Sequence, residues 1–154
     1  MEKILLKIND GALISLFALR LALGWLFFYA GITKVFDPEW SAAGYLGAAK
    51  TFPALFHWFA LPANIGWVNF LNEWGLTLVG VALLLGVSVR LASFAGAFIM
   101  TLYYLAPLQF PYPDPHSFVV DEHVIYALLL LLFAFSRAGS VYGLESRLFG
   151  QKRR

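Results

Sequence analysis

The chain contains no cysteine. That excludes disulfides, thiol redox chemistry and thiolate-held metal clusters within it, though not in a redox partner. Charge is scarce too: 13% of residues are Asp, Glu, Lys or Arg, against about 25% in an ordinary soluble domain. A phosphate-binding loop, a nucleophile elbow and a dinucleotide fingerprint are all missing, and no internal repeat is evident. What remains is apolar. Of 154 residues 60% are hydrophobic, and the mean hydropathy is +0.73. This predicts an integral membrane protein built as one domain, 1–154, with no room for a separate soluble catalytic domain.

Four hydrophobic stretches read as helical spans: 11–33, 65–89, 91–106 and 118–136. A span needs about 20 apolar residues. The first follows Lys3 and Lys7 and so mimics a signal peptide, but Arg20 interrupts it and the apolar run continues to Thr33. A cleavable signal has a shorter unbroken core, so this reads as a retained span. Only Arg90 separates the second and third stretches, which predicts a tight hairpin. Pro107, Pro111, Pro113 and Pro115 break the chain before the fourth, since proline lacks the N–H a helix needs. The fold class expected is all-α, a membrane four-helix bundle.

Charge sets the expected orientation. Lys3, Lys7, Arg90, Arg137, Arg147, Lys152, Arg153 and Arg154 share one side. The other side has only Lys34 and Lys50 among bases, with Asp37, Glu39, Glu73, Asp114, Asp121 and Glu122. The basic bias places both termini in the cytoplasm. The Gln151–Arg154 tail reads as a topology anchor that also favours anionic headgroups.

The segment 37–64 is not a fifth span, because Pro38, Pro53 and Pro62 divide it and Lys50 and His57 fall inside. Its aromatic residues, Trp40, Tyr45, Phe52, Phe56, Trp58 and Phe59, suit a membrane–water boundary. One or two short interfacial helices are expected there, with Ser41 capping the first. They serve either as a connector or as a lid over a hydrophobic ligand.

The ionisable residues inside the spans carry the functional reading, because a charge within the bilayer costs at least about 2.5–3.5 kcal/mol and needs a partner. Arg20 lies about 14 Å along the first helix, sharing a face with Gly24, Gly31 and Lys34. Small residues on that face let a second helix approach. Glu73 shares a face with Thr77 and Gly80 and is the expected partner of Arg20 or Lys34, best as a bidentate pair. Asp121 and Glu122 suit the first turn of the fourth span. His123 and Tyr126, three apart, can share a face. Lys34, Glu73, Glu122, His123 and Tyr126 should therefore cluster near the outer end. Such a cluster could hold a quinone head, with His123 or Glu73 as the titrating group. The competing reading is charge neutralisation that fixes helix register. Asp114, His116, Asp121, Glu122 and His123 match no established metal-ligand spacing, and none of the three histidines lies deep enough in a span for paired haem ligation. No metal or flavin and no nucleic-acid partner is expected.

Taken together, Arg20 with Gly24, Ala30-Gly31 with Lys34, Glu73 with Gly86 and Arg90, and the Gly139, Gly143, Leu144 ending resemble the DoxX family. Within it they resemble the group containing DoxD, the small membrane subunit of thiosulfate:quinone oxidoreductase. The resemblance covers Leu16 to Glu145 and implies a plasma-membrane, multi-pass subunit passing electrons to quinone, working with a second redox subunit. In that reading Arg20, Lys34 and Glu73 are the catalytic candidates, and His123 and Tyr126 contact the quinone head. The lipid bilayer is the first partner, and homo-oligomerisation stays open. The rivals are a non-catalytic anchor or assembly protein for a soluble redox partner, and a small-solute transporter. Four spans without a repeat offer the transporter little machinery.

Overall fold

The structure is a computed structural model that describes residues 10–145. Lys3 and Lys7, and the basic residues from Arg147 to Arg154, lie outside the described residues. Six helices follow in order: α1 Asp10–Val35, α2 Ala43–Gly47, α3 Pro53–Ala60, α4 Ile65–Leu85, α5 Val89–Leu105 and α6 Glu122–Ser136, then a 3-10 turn, Ala138–Ser140. The described chain is all-α. Helices α1 and α4 are long and apolar enough to cross a membrane, while α5 and α6 are shorter apolar helices.

Helix α1 packs along α4, α6 packs along α5, and a smaller α4–α5 contact joins the two pairs. Glycine sets the closeness of the first pair. A Cβ on Gly80 would run into the backbone of Phe28, and one on Gly24 would sit 3.0 Å from the Leu84 nitrogen. These contacts also fix the register as antiparallel: Gly31 faces Glu73 and Thr77, Gly24 faces Leu83 and Leu84, and Arg20 faces Gly86. Leu23, Phe27, Leu76, Val79, Leu83, Met100, Leu130 and Phe133 close the core between the helices. The outward faces are apolar as well, with Trp25, Leu78, Leu91, Phe98, Leu128 and Phe135 all exposed. Large apolar side chains are thus exposed on each of the four longer helices, as suits helices that face lipid.

The turn between α4 and α5 differs in detail from the sequence expectation. Gly86 ends α4 at φ 66° and Ser88 precedes α5 at φ 49°. Arg90 therefore lies in the first turn of α5, exposed, rather than in the connection. Residues 37–64 form the two short helices expected. The Ser41 hydroxyl accepts the Ala43 N–H at 3.2 Å, but the N-cap position of α2 is taken by Ala42 and carries no side-chain cap, so the expected Ser41 cap is not formed. Phe56 of α3 is buried with Ala42, Leu46, Ala49 and Ala106 in a second, smaller core. The Lys50 N–H donates to the Ala106 carbonyl at 2.8 Å, and the Thr51 hydroxyl to that of Leu108 at 2.5 Å. These bonds fasten α2 and α3 across the end of the helix pairs remote from the α4–α5 turn.

Candidate functional site

The two ends of the molecule hold different chemistry. At the end bearing the α4–α5 turn, Arg20 is wholly buried. Its guanidinium occupies the space beside Gly86 and Gly143, where a Cβ on either glycine would collide with Nη1. The ring of Phe17 lies 5.4 Å from its Cζ. Glu145 supplies the carboxylate whose charge acts on it. The Glu145 carboxylate rests on Gly139, and its N–H donates to the Gly86 carbonyl at 3.0 Å. Among the described residues none of the three guanidinium nitrogens makes a hydrogen bond. The last turn of the described chain thus folds back over Arg20, and glycine at 86, 139 and 143 makes the space for it.

The expected Arg20–Glu73 pair is therefore not formed. Glu73 lies 13 residues before Gly86, about 20 Å along α4 from the level of Arg20. The cause is stagger: α1 begins well beyond the end of α4, so Arg20, ten residues into its own helix, is level with the α4–α5 turn and not halfway along the bundle. The tyrosine of the closing turn, Tyr142, packs edge-on against Phe17, with ring centroids 5.4 Å apart.

At the other end four of the five residues expected to cluster, Lys34, Glu122, His123 and Tyr126, line one cavity. A cavity of about 170 Å³ is lined by the polar residues Lys34, Tyr103, Glu122, His123 and Tyr126 and by the apolar residues Leu26, Phe27, Ala30, Leu76 and Met100. Helix α1 brings Lys34 there in its last turn. Its ammonium donates to the Ala30 carbonyl at 2.9 Å and lies 5.3 Å from the Trp40 ring centroid. One bond uses one of three ammonium hydrogens. Glu73 stands beside the cavity and not in its wall: its charge acts on Lys34, and its carbonyl accepts from Thr77 at 2.7 Å.

Asp121 organises the start of α6. One carboxylate oxygen, Oδ1, accepts the Val124 N–H at 3.1 Å and so caps the helix. The other, Oδ2, lies 2.7 Å from His123 Nδ1. The Asp121 side chain is 6% exposed and that of His123 is 23% exposed, so the pair is shielded but reachable. Two participants went unread in the sequence. Tyr103 puts its hydroxyl 2.6 and 2.9 Å from the side-chain amide of Asn72 and its ring edge-on to His123. A half-buried phenol needs a partner for its O–H. Tyr45 of α2 donates to the Tyr103 carbonyl at 2.6 Å, so α2 covers this end directly.

The DoxX family model matches residues 15–106. The chain belongs to the DoxX family. The match contains α1 from its second turn, the two short helices, α4 and α5, and so includes Arg20, Lys34, Glu73, Gly86 and Tyr103, while Asp121, His123 and Glu145 fall beyond it. DoxX is a membrane-associated family often linked to oxidoreductase-related functions, and the two long apolar helices agree with a membrane protein. No curated protein and no solved structure matches this DoxX chain.

Proposed function

We propose that the chain is a four-span subunit of a quinone-linked oxidoreductase in the plasma membrane, of the DoxD kind, and that the cavity at its outer end takes the quinone head. The observation that carries this reading is the cavity itself, whose lining combines hydrogen-bonding and titratable groups with aliphatic and aromatic side chains. Drug-sized ligands occupy pockets of about 300–1,000 Å³. A space of about 170 Å³ suits a single substituted ring, with its tail left outside among the apolar helix faces.

Helices α5 and α6, with 17 and 15 residues, are about 26 and 22 Å long, against a hydrocarbon core of about 30 Å. Their flanking residues complete each crossing in this reading. The cationic end bearing Arg90 and Arg137 then faces the cytoplasm, and the cavity faces outward. Lys34 donates to a ring oxygen, His123 and Tyr126 contact the head, and Glu73 balances Lys34. Arg20, at the far end, holds the closing turn in place.

Electrons come from the second subunit, with thiosulfate as the expected donor. Membranes containing the chain and its partner should reduce a short-tailed quinone with thiosulfate, and Lys34→Met should cut the rate at unchanged protein level. Full activity in that variant would remove the cavity from the reaction. The anchor reading keeps one observation in its favour: the clamp of Glu145 on the Gly86 turn fixes the point from which the remaining chain leaves. Under it, a soluble redox protein co-purifies and quinone binding is absent.

A further inference from the structure

The two oxygens of Asp121 have separate duties, and the second one determines what the cavity recognises. Oδ1 is committed to the Val124 N–H. Oδ2, 2.7 Å from His123 Nδ1, is a carboxylate oxygen and can only accept, so the proton of a neutral imidazole must sit on Nδ1. Nε2 is then left with a lone pair. Among the described residues that nitrogen has no hydrogen-bond partner, while His123 lines the cavity. The groups around the ring do not reverse this. Tyr103 of α5 already exchanges hydrogen bonds with Asn72, Lys34 of α1 is engaged by Ala30 and Trp40, and Glu122 is exposed.

We infer that the Asp121–His123 pair makes this wall of the cavity a hydrogen-bond acceptor, so that the site binds the phenolic hydroxyl of a hydroquinone in preference to the carbonyl of a quinone. The inference rests on the quinone reading above and adds the redox form that the site favours. An accepting nitrogen gains a full hydrogen bond from an O–H, whereas a carbonyl oxygen facing it offers only lone-pair repulsion and leaves Nε2 unsatisfied. Asp121 is a positioning residue here: it touches His123 and not the ligand.

Asparagine at 121 provides a sharp test. It has a single acceptor oxygen and is a good helix cap. With that oxygen kept on the Val124 N–H, its amide N–H points at Nδ1. The imidazole proton moves to Nε2, and the wall becomes a donor.

The experiment is isothermal titration of the purified full chain in mild detergent, anaerobically at neutral pH, with decylubiquinone and with its reduced form. The wild type should bind the reduced form about tenfold more tightly, the ratio one hydrogen bond supplies. His123→Phe should bring the two affinities together. Asp121→Asn should favour the oxidised form while its melting temperature stays at the wild-type value. Equal affinities in the wild type, or an Asp121→Asn protein that still prefers the reduced form, would overturn the inference and leave the quinone site standing. Absence of binding by either form would overturn both.

Discussion

The guanidinium of Arg20 fills the space that a side chain on Gly86 would need. Because Gly86 also has φ 66°, two separate demands fall on the same position. One is conformational, since a non-glycine residue there is strained. The other is steric and electrostatic, since the displaced group is a buried cation.

Gly86→Ala should therefore destabilise the protein by about 1–3 kcal/mol, read as a lowered melting temperature in detergent. Decylubiquinone affinity should be unchanged in protein that remains folded, because the site is at the other end. A melting temperature equal to wild type would mean that the closing turn does not depend on this packing.

The α1–α4 crossing makes a second demand on glycine. A Cβ at Gly80 meets the Phe28 backbone, and backbone cannot rotate aside as a side chain can. Gly80→Val should force the pair apart and yield aggregated or rapidly degraded protein, seen by size-exclusion chromatography after solubilisation. Gly44→Ala, at a glycine with open space around it, should elute as the wild type does. A monodisperse, stable Gly80→Val protein would contradict the packing described.

At the head of α6, Asp121→Ala removes the helix cap and the partner of His123 together. The cap alone is worth about 0.5–2 kcal/mol. Thermal unfolding should show a loss of that order for Asp121→Ala and none for Asp121→Asn. Equal losses would mean that the carboxylate charge, rather than the capping oxygen, stabilises the helix start.

Topology can be tested with unusual economy because the chain has no cysteine of its own. Single cysteines at Glu39 and His116 should react with a membrane-impermeant maleimide on intact cells. A cysteine at Ser140 should react only after lysis. Labelling of all three from outside would contradict an even number of crossings with both ends in the cytoplasm.

The helices and the connector were readable because long apolar runs, the prolines from Pro107 to Pro115 and the aromatic segment 37–64 each have a direct backbone consequence. The close-packing faces were readable as well, through the spacing of Gly24 and Gly31 on one helix and Gly80 on the other. The partner of Arg20 was not. Position within a helix says nothing about the stagger between helices, and α1 overhangs α4 by most of its first three turns. The pairing of Tyr103 with Asn72 is equally invisible, since it joins residues 31 apart with no local pattern between them. Asp121 shows the boundary well: the sequence places it inside the first turn of a helix starting near 118, whereas α6 starts at Glu122 and Asp121 caps it from outside, and the use of its second oxygen depends on a side-chain angle.

The most direct measurement is to photolabel the purified chain with an azido-quinone and map the modified peptides. Labelling should fall on the stretches that line the outer cavity, Leu26–Lys34 of α1 and Glu122–Tyr126 of α6, and should be suppressed by Lys34→Met and by excess decylubiquinone. Labelling confined to the opposite end, around Ser140–Leu144, or spread evenly over the outward helix faces with no competition, would contradict a quinone site between Lys34 and His123.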